Sequence, residues 1–299
     1  MKYAITGGAG HISRPIVEKL LAAGHLVTVI GRKPEHLKAL TDQGATAAAG
    51  SVEDVRFLTE AFEGADAVYT MVPPNMIASD WKSWIGKIGE NYAQALKNTD
   101  VKYVVNLSSI GAHLPDGAGP VSGLYRTEHA LNSLKNVHIR HLRPAYFFNN
   151  FLSSTGMVKN MKIIGSNFGG DNFKMILADT KDIADTAAEE LLNLNFTGRS
   201  IRYIASDERD INEVARLIGE AIGQPQLPWI VFSNDQAYEG MVHAGLPHEI
   251  AKNYAEMGNA LQTGIMTEDY WKHRPEKLGK IKLENFAKSF ATVYNNNNA

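Results

Sequence analysis

The sequence predicts an α/β fold: a doubly wound parallel sheet joined to a smaller, mostly helical C-terminal lobe. Through the first half of the chain, short β-rich runs alternate with helical patterns, as they do in βαβ units. Several of these runs are almost continuously apolar, which is typical of strands that helices cover on both faces. With 299 residues, 44% of them hydrophobic, the chain can bury a large core.

The predicted elements follow one another regularly. Six strands are predicted in the first half: KYAIT, HLVTVIG, ATAAAG, DAVYTMV, VKYVVNLSS and VHIRHLRP. Between the first two, a helical stripe is formed by Ile16, Val17, Leu20 and Leu21. Pro15 is tolerated in the first turn of this helix, and Gly24 ends it. Beyond Phe151, KDIADTAAEELLNL reads as a helix, RSIRYIA as a strand and DINEVARLIGEAIG as another helix.

Two domains are expected, residues 1–150 as the nucleotide-binding domain and residues 151–299 as the substrate-binding lobe. The segment from about 182 to 205 is expected to return to the main sheet, so a strict cut at 150 simplifies the arrangement. Because neither an internal repeat nor a Gly/Ser linker separates the two parts, we expect them to share an interface.

Composition excludes several classes of protein. Lys and Arg total 30 against 32 Asp and Glu, so no general field attracts nucleic acid or an anionic membrane. A small-molecule substrate is the expected partner. The absence of cysteine excludes disulfides and thiolate chemistry and fits a reducing compartment. No run of about 18 apolar residues occurs, and the first strand begins almost at Met1, so a cytoplasmic protein is expected. Monomer and homodimer both stay open.

The segment ITGGAGHIS, residues 5–13, lies between the first strand and the first helix. Glycines in that position let the backbone approach a dinucleotide diphosphate, which the free amides and dipole of the helix N-terminus attract. Gly7 and Gly10 occupy the first two positions of this Rossmann-type motif, and Ser13 replaces the third glycine. His11 is expected to contact phosphate or to point into solvent. The predicted cofactor contacts in this loop are Thr6, Gly7, Gly8, Gly10, His11 and Ile12.

The second predicted strand ends in VIGRKPEHL, where NAD-binding proteins carry an acidic residue that binds the ribose. Arg32 and Lys33 stand there instead. Two cations without a carboxylate favour the 2′-phosphate of NADP(H), and NAD(H) is the less favoured cofactor. The alternative is an ordinary solvated pair of surface cations.

Ligands of such sheets bind at the carboxyl ends of the strands. The residues expected beside the cofactor there are Ser51, Val72, Pro73, Ser108, Pro144 and Tyr146. An apolar pocket suited to a flat or hydrophobic substrate is predicted from Met71, Pro73, Pro74 and Tyr146, together with the predicted substrate contacts Met76, Phe147 and Phe148. Each of these residues could equally belong to the core. No metal site is predicted, because no H-x-x-x-H and no carboxylate cluster has metal-ligand spacing.

Several segments resemble one known family. ITGGAGHIS, SVEDVRFLTEAFEGADAVYTMVPP, NLSSIGA, LYRTEHAL, LRPAYFFNNF and the closing RPEKLGKIKLENFAKSF occur in the order seen in NmrA-like proteins, an atypical branch of the short-chain dehydrogenase/reductases. The resemblance covers almost the whole chain. It implies NADP preference and one of three functions: quinone or azo-dye reduction, isoflavone reductase-like chemistry, or sensing of the dinucleotide without turnover.

The catalytic pattern of ordinary short-chain dehydrogenases, Tyr-x-x-x-Lys, is altered here to Tyr125 and His129. The two share one helical face, but histidine titrates near 6.5 and would lower the tyrosine pKa less than lysine does. Ser108 or Ser109 would orient a carbonyl. The predicted catalytic set is Tyr125, Ser108, Ser109 and His129. The alternative is a packed Tyr125 and a surface His129. A register shifted by one residue would put Leu124 where some relatives carry a catalytic lysine.

The function expected from the sequence is NADPH-dependent transfer of hydride to a small apolar acceptor, such as a quinone or a related carbonyl compound. The first alternative is a non-enzymatic NADP(H)-sensing regulator. A nucleotide-sugar epimerase is third, because the chain lacks Tyr-x-x-x-Lys. Reduction does not require an internal proton relay, since water can supply the proton.

Overall fold

A computed structural model describes residues 1–296. The strands are β1 (Lys2–Thr6), β2 (Leu26–Gly31), β3 (Thr46–Ala49), β4 (Ala67–Thr70), β5 (Tyr103–Leu107), β6 (His138–Pro144), β7 (Tyr146–Phe147), β8 (Ile164–Ser166), β9 (Lys174–Ala178), β10 (Arg199–Ile204), β11 (Asp207–Asp210) and β12 (Trp229–Val231). All six strands predicted in the first half are present.

The helices alternate with these strands in the first half and dominate the second. They are α1 (Ser13–Ala22), α2 (Pro34–Thr41), α3 (Val55–Phe62), α4 (Trp81–Lys97), α5 (Pro120–Asn132), α6 (Thr155–Met161), α7 (Thr180–Asn193), α8 (Ile211–Ala221), α9 (Asn234–His243), α10 (His248–Gln262), α11 (Glu268–Lys272) and α12 (Leu283–Asn296). A 3₁₀ helix, Phe148–Ser154, precedes α6.

The central sheet has seven strands in the order β10-β6-β5-β4-β1-β2-β3, and all of its pairs are parallel. The order reverses between β1 and β4, so the switch point lies at the end of β1. Apolar side chains of α1, α2 and α7 cover one face, and those of α3, α4 and α5 cover the other. The predicted doubly wound parallel sheet is therefore confirmed.

The chain leaves this sheet after β6 and comes back to it once. After β7 to β9 and α7, strand β10 pairs with β6, and Ile201 lies opposite His141. The remaining strands form two small sheets, β11-β9-β7 and β12-β8, which α8 to α12 accompany. This second half is the smaller, mostly helical lobe that the sequence predicts. Within residues 1–296, no helix is both long and apolar enough to cross a bilayer.

Helices α4 and α5 approach each other unusually closely. A Cβ atom placed on Gly89 would lie 2.5 Å from the Cα of Thr127, and one placed on Gly123 would lie 2.6 Å from the Cβ of Ile85. The two backbones can reach this distance only where side chains are missing. These contacts fix the rotation of α5 about its axis, and they therefore decide which of its side chains face the sheet.

Candidate active site

The glycine loop joins β1 to α1 at the switch point of the sheet. Gly7 has a φ of +68°, a conformation that L-residues rarely adopt, and a Cβ there would lie 2.6 Å from the sulfur of Met71. A Cβ on Gly8 would lie 1.8 Å from a methyl group of Val29. Both positions thus require glycine for local packing, which brings the loop backbone down onto β2 and the end of β4.

The N-terminus of α1 is left without a cap. Ile12 is its N-cap residue and supplies no side-chain hydrogen bond. Within residues 1–296, the backbone N–H groups of His11 and Ile12 have no hydrogen-bond partner, although the N–H of Gly10 closes the turn onto the Gly7 carbonyl at 2.9 Å. Gly10 and His11 are exposed. Uncapped amides at the positive end of a helix form an anion site, so the loop fits the diphosphate of a dinucleotide.

Thr6 differs from its predicted role as a cofactor contact. Its side chain is buried, and its hydroxyl accepts a hydrogen bond from the Met71 N–H at 2.9 Å and donates one to the Tyr69 carbonyl at 3.2 Å. Because both contacts join the ends of β1 and β4, Thr6 supports the loop from below. The expectation that its side chain meets the cofactor is corrected accordingly.

Arg32 and Lys33 follow directly after β2, on the same edge of the sheet as the glycine loop. Both side chains are exposed, and neither forms an ion pair or a side-chain hydrogen bond in the described part of the chain. Ser51, just after β3, is half-buried, and its hydroxyl accepts the Glu53 N–H at 3.2 Å. Two unpaired cations therefore stand at the strand end where the sequence predicts binding of the 2′-phosphate of NADP.

The connection from β4 to α4 presents apolar side chains. Val72 and Pro73 are half-buried, and Met76 is 38% exposed. The start of the connection is held by α4, because the Tyr92 hydroxyl donates to the Met71 carbonyl at 2.7 Å. Its end is held at Trp81, which is buried against Tyr254 of α10. Val72, Pro73 and Met76 thus keep surface that a ligand could contact, while both ends of the segment are fixed.

The residues after β6 divide between cleft and core. Pro144 is buried, whereas Tyr146 and Phe147 are half-buried, and Tyr146 borders a cavity of about 250 Å³ with Ile110 and Trp271. Phe148 is fully buried and stacks on Phe286 of α12 at 5.4 Å between ring centroids. Because the 3₁₀ helix that begins at Phe148 turns its ring into the core, the prediction that Phe148 contacts substrate is wrong.

Ser108 lies at the end of β5 inside a buried charged network. Its hydroxyl donates to Glu128 Oε1 at 2.5 Å. The guanidinium of Arg143 donates to both oxygens of the same carboxylate, from Nε at 3.0 Å and from Nη2 at 2.8 Å. A third nitrogen of Arg143 donates to Asp269 of α11 at 3.0 Å. Ser109 donates its hydroxyl to the Ile110 carbonyl at 3.0 Å. Both serine hydroxyls thus already have acceptors within the protein.

The network keeps its charges despite burial. Burial alone would lower the pKa of Arg143, but the Glu128 carboxylate outweighs it and raises that pKa above its ordinary value. Burial would raise the pKa of Asp269, yet the Tyr203 hydroxyl, together with His273 and Arg143, lowers it. Sequence reasoning missed Glu128 and Asp269 because no local motif marks them. Their partner Arg143 lies in LRPAYFFNNF, a segment that sequence reasoning singled out through the family resemblance.

Tyr125 and His129 do not join Ser108. Their rings stack at 6.2 Å, and they line an outer groove between α4 and α5 together with Lys87 and Gln94. Leu124 instead packs towards the apolar cluster around Trp81. The rotation of α5 therefore turns Leu124 and Glu128 inward and Tyr125 and His129 outward. The predicted Ser108–Tyr125–His129 set is therefore not assembled.

A bare helix N-terminus behind a glycine turn, at the switch point of a doubly wound parallel sheet, defines a Rossmann-type dinucleotide-binding protein. Among residues 1–296, no group of three His, Cys, Asp or Glu side chains could hold a metal ion. Residues 7–145 match the model of a family described as NAD(P)H-binding. This match, over a little under half of the chain, agrees with the predicted cofactor class.

Similar proteins point the same way. The chain is 22% identical over 255 residues to an NAD(P)H azoreductase of Xenophilus azovorans, which covers 85% of each protein. A triphenylmethane reductase of Citrobacter sp., solved with NADP(H), superposes with a TM-score of 0.80 at 20% identity over 97% of this chain and 100% of that one. An NADPH-dependent quinone oxidoreductase of Escherichia coli gives 0.78 at 20% identity over 98% and 99%. The two solved structures confirm the predicted fold.

Proposed function

We propose that this protein is an NADPH-dependent reductase that transfers hydride to a small apolar acceptor, such as a quinone or a related carbonyl or azo compound. The observation that carries the proposal is the pair of unpartnered amides, His11 and Ile12, at the N-terminus of α1 beside the unpaired cations Arg32 and Lys33. The activities named for the azoreductase and quinone oxidoreductase relatives support this acceptor class.

In this proposal, the backbone from Gly7 to Ile12 binds the diphosphate, and Arg32 and Lys33 bind the 2′-phosphate. NADPH, when bound, supplies the hydride. Val72, Pro73 and Tyr146 surround the far end of the cleft, where their apolar surfaces limit access of water to the reacting atoms. Residues 1–150 then form the dinucleotide-binding half, and residues 151–299 supply the acceptor side.

Helix α5 supplies no acid for proton transfer. Leu124 faces the cleft side, while the Ser108 hydroxyl donates to Glu128. The proton that completes reduction is therefore assigned to water, as suits an acceptor whose reduced form is a good proton acceptor. A nucleotide-sugar epimerase, which depends on a tyrosine and lysine pair on α5, is not supported by this arrangement.

The test is to incubate the purified protein with NADPH and a panel of quinones, azo dyes and enals while following the absorbance at about 340 nm, the band of the reduced nicotinamide ring that is lost when hydride leaves. Loss that depends on acceptor supports the reductase. Parallel titrations with NADPH and NADH measure cofactor choice. If neither dinucleotide binds at millimolar concentration, the proposal is wrong.

The second candidate is an NADP(H) sensor that binds the dinucleotide and alters its affinity for another protein without turnover. The sequestered Ser108 and the outward-facing Tyr125 favour it, because a sensor needs no catalytic hydroxyl. Tight NADPH binding without consumption by any acceptor in the panel would select the sensor.

A further inference from the structure

Tyr254 is a half-buried phenol of α10. Its ring meets Trp81 edge-on at 5.3 Å between centroids. It packs on the small cluster of Trp81, Ile85 and Ile250, which Val72 and Leu124 also contact. The C-terminal lobe therefore brings a phenol to the neighbourhood of the β4 connection and of the inward face of α5.

A second phenol, Tyr146, also lies near α10, because its neighbour Phe168 follows Asn167, whose side-chain amide donates to the Ala255 carbonyl at 2.7 Å. Tyr146 follows β6 and packs its ring on Phe151 at 5.4 Å and on Phe168 at 5.9 Å. Within residues 1–296, neither the Tyr146 nor the Tyr254 hydroxyl forms a hydrogen bond. Neither is fully buried, because both are absent from the side-chain atoms that lack a partner and are closed to solvent. Tyr69 is the contrast, since its unpartnered hydroxyl is sealed in the core. The hydroxyls of Tyr146 and Tyr254 thus lack a partner within the described chain and keep some contact with solvent.

Building on the proposed function, we propose that the hydroxyls of Tyr146 and Tyr254 form the polar end of the acceptor site and donate hydrogen bonds to an oxygen or nitrogen atom of a flat, apolar acceptor. Burial raises the pKa of both phenols, and Tyr254 raises that of Tyr146 further, so both stay protonated donors at neutral pH.

The chemistry of the site selects the acceptor class. Val72 and Leu124 offer apolar contacts, and two neutral donors suit a quinone carbonyl or an azo nitrogen better than a carboxylate or phosphate, which favour charged donors. When the acceptor gains the hydride, an electron pair and negative charge develop on that oxygen or nitrogen. Two hydrogen bonds stabilise this charge, and a proton from water then completes the two-electron reduction.

Tyr254→Phe tests the assignment without disturbing the packing on Trp81. Binding of 2-methyl-1,4-naphthoquinone is measured by quenching of tryptophan fluorescence without cofactor, since Trp81 lies beside Tyr254. Loss of one hydrogen bond, about 1 to 1.5 kcal/mol, should raise the quinone Kd about five- to tenfold. Tyr146→Phe should weaken quinone binding similarly. In turnover, kcat/KM for the quinone should fall, while the NADPH Kd of Tyr254→Phe stays within about twofold.

Tyr238→Phe is the matched control, because its hydroxyl is on α9 and contacts His248 at 2.7 Å instead of the cleft. An unchanged quinone Kd in Tyr254→Phe, or an equal rise in Tyr238→Phe, would overturn the inference. So would a wild-type protein that binds NADPH but no quinone, in which case the cofactor part of the proposed function still stands. Failure to bind NADPH would instead refute the proposed function itself.

Discussion

Arg143 and Glu128 form a two-point ion pair in the interior, with Nη2–Oε2 at 2.8 Å and Nε–Oε1 at 3.0 Å. Their side chains are only 8% and 7% exposed. Since Arg143 also reaches Asp269, the pair ties β6 and α5 to α11 of the C-terminal lobe. A buried ion pair need not add net stability, but removing one member leaves an uncompensated charge.

Glu128→Gln should therefore destabilise the protein by about 3 kcal/mol, at the low end for a broken buried pair because Asp269 still faces Arg143. Urea unfolding followed by circular dichroism measures the change. Glu60→Gln is the matched control, because Glu60 pairs with Arg56 on the surface, with side chains 64% and 90% exposed. That change should cost less than about 1 kcal/mol. Equal effects in the two variants would contradict the network's structural role.

Gly10→Ala should separate binding from folding. Gly10 has an ordinary φ, and a Cβ there would meet only the Gly7 carbonyl at 3.2 Å, so the fold should persist with a melting temperature changed by about 2 °C or less. The added methyl group faces the proposed diphosphate, and the NADPH Kd should rise at least about tenfold. Isothermal titration calorimetry measures it. Gly156→Ala, whose Cβ would meet nothing within 4 Å, should leave the Kd unchanged.

Arg32→Ala should lower the preference for NADPH over NADH. A charge-assisted hydrogen bond contributes about 1.5 to 3 kcal/mol, so the NADPH Kd should rise about ten- to hundredfold while the NADH Kd hardly moves. Both constants come from fluorescence titration of the reduced nucleotides. Lys38→Ala removes a nearby cation that already pairs with Asp42 at 2.8 Å and serves as the control. If both dinucleotides weaken equally, Arg32 does not bind the 2′-phosphate.

His141 should make stability depend on pH. It is buried between Asn106 and Asn132, and burial lowers its pKa from the ordinary 6.5 to about 4. The unfolded chain thus binds this proton at higher pH than the folded protein, so stability falls as pH drops from 6.5 to 4, by about 3 kcal/mol. His141→Gln should flatten that part of the unfolding free energy profile. His36→Gln, at an exposed position, controls for the loss of one histidine. If the unfolding free energy of His141→Gln depends on pH as steeply as that of the wild type, His141 is not the source of the dependence.

Tyr125→Phe should leave acceptor-dependent NADPH oxidation unchanged, within about twofold. Its ring lies in the outer groove between α4 and α5, whereas the Ser108 hydroxyl donates to Glu128. Steady-state kinetics with the best quinone of the panel provide the measurement. A fall of about tenfold or more in kcat would show that Tyr125 takes part in the reaction, and α5 would then have to rotate on ligand binding.

The sheet and the cofactor loop could be predicted because their signals are local. Strands such as LVTVIG in β2 are apolar runs bounded by breakers, and the glycine loop fits within nine residues between a strand and a helix. The position of the cations Arg32 and Lys33 could be predicted for the same reason, because they follow β2 directly in the sequence. In each case, the physical constraint acts between neighbours in the sequence.

The catalytic side could not be predicted in the same way, because one residue along α5 corresponds to about 100° of rotation. That rotation is set by the close contacts of Gly89 and Gly123 with the partner helix, after the connection 108–119, and no spacing in the sequence encodes it. Glu128 and Arg143 are 15 residues apart, and Asp269 is 126 residues from Arg143. Only the folded chain brings these three residues together.

Strand β10 covers one side of β6 with residues from the second half of the chain. A fragment that ends near residue 150 would lack residues 199–204 and would leave that side of β6 as an unpaired parallel edge. Such a truncation should aggregate, and a usable expression fragment has to extend past Ile204.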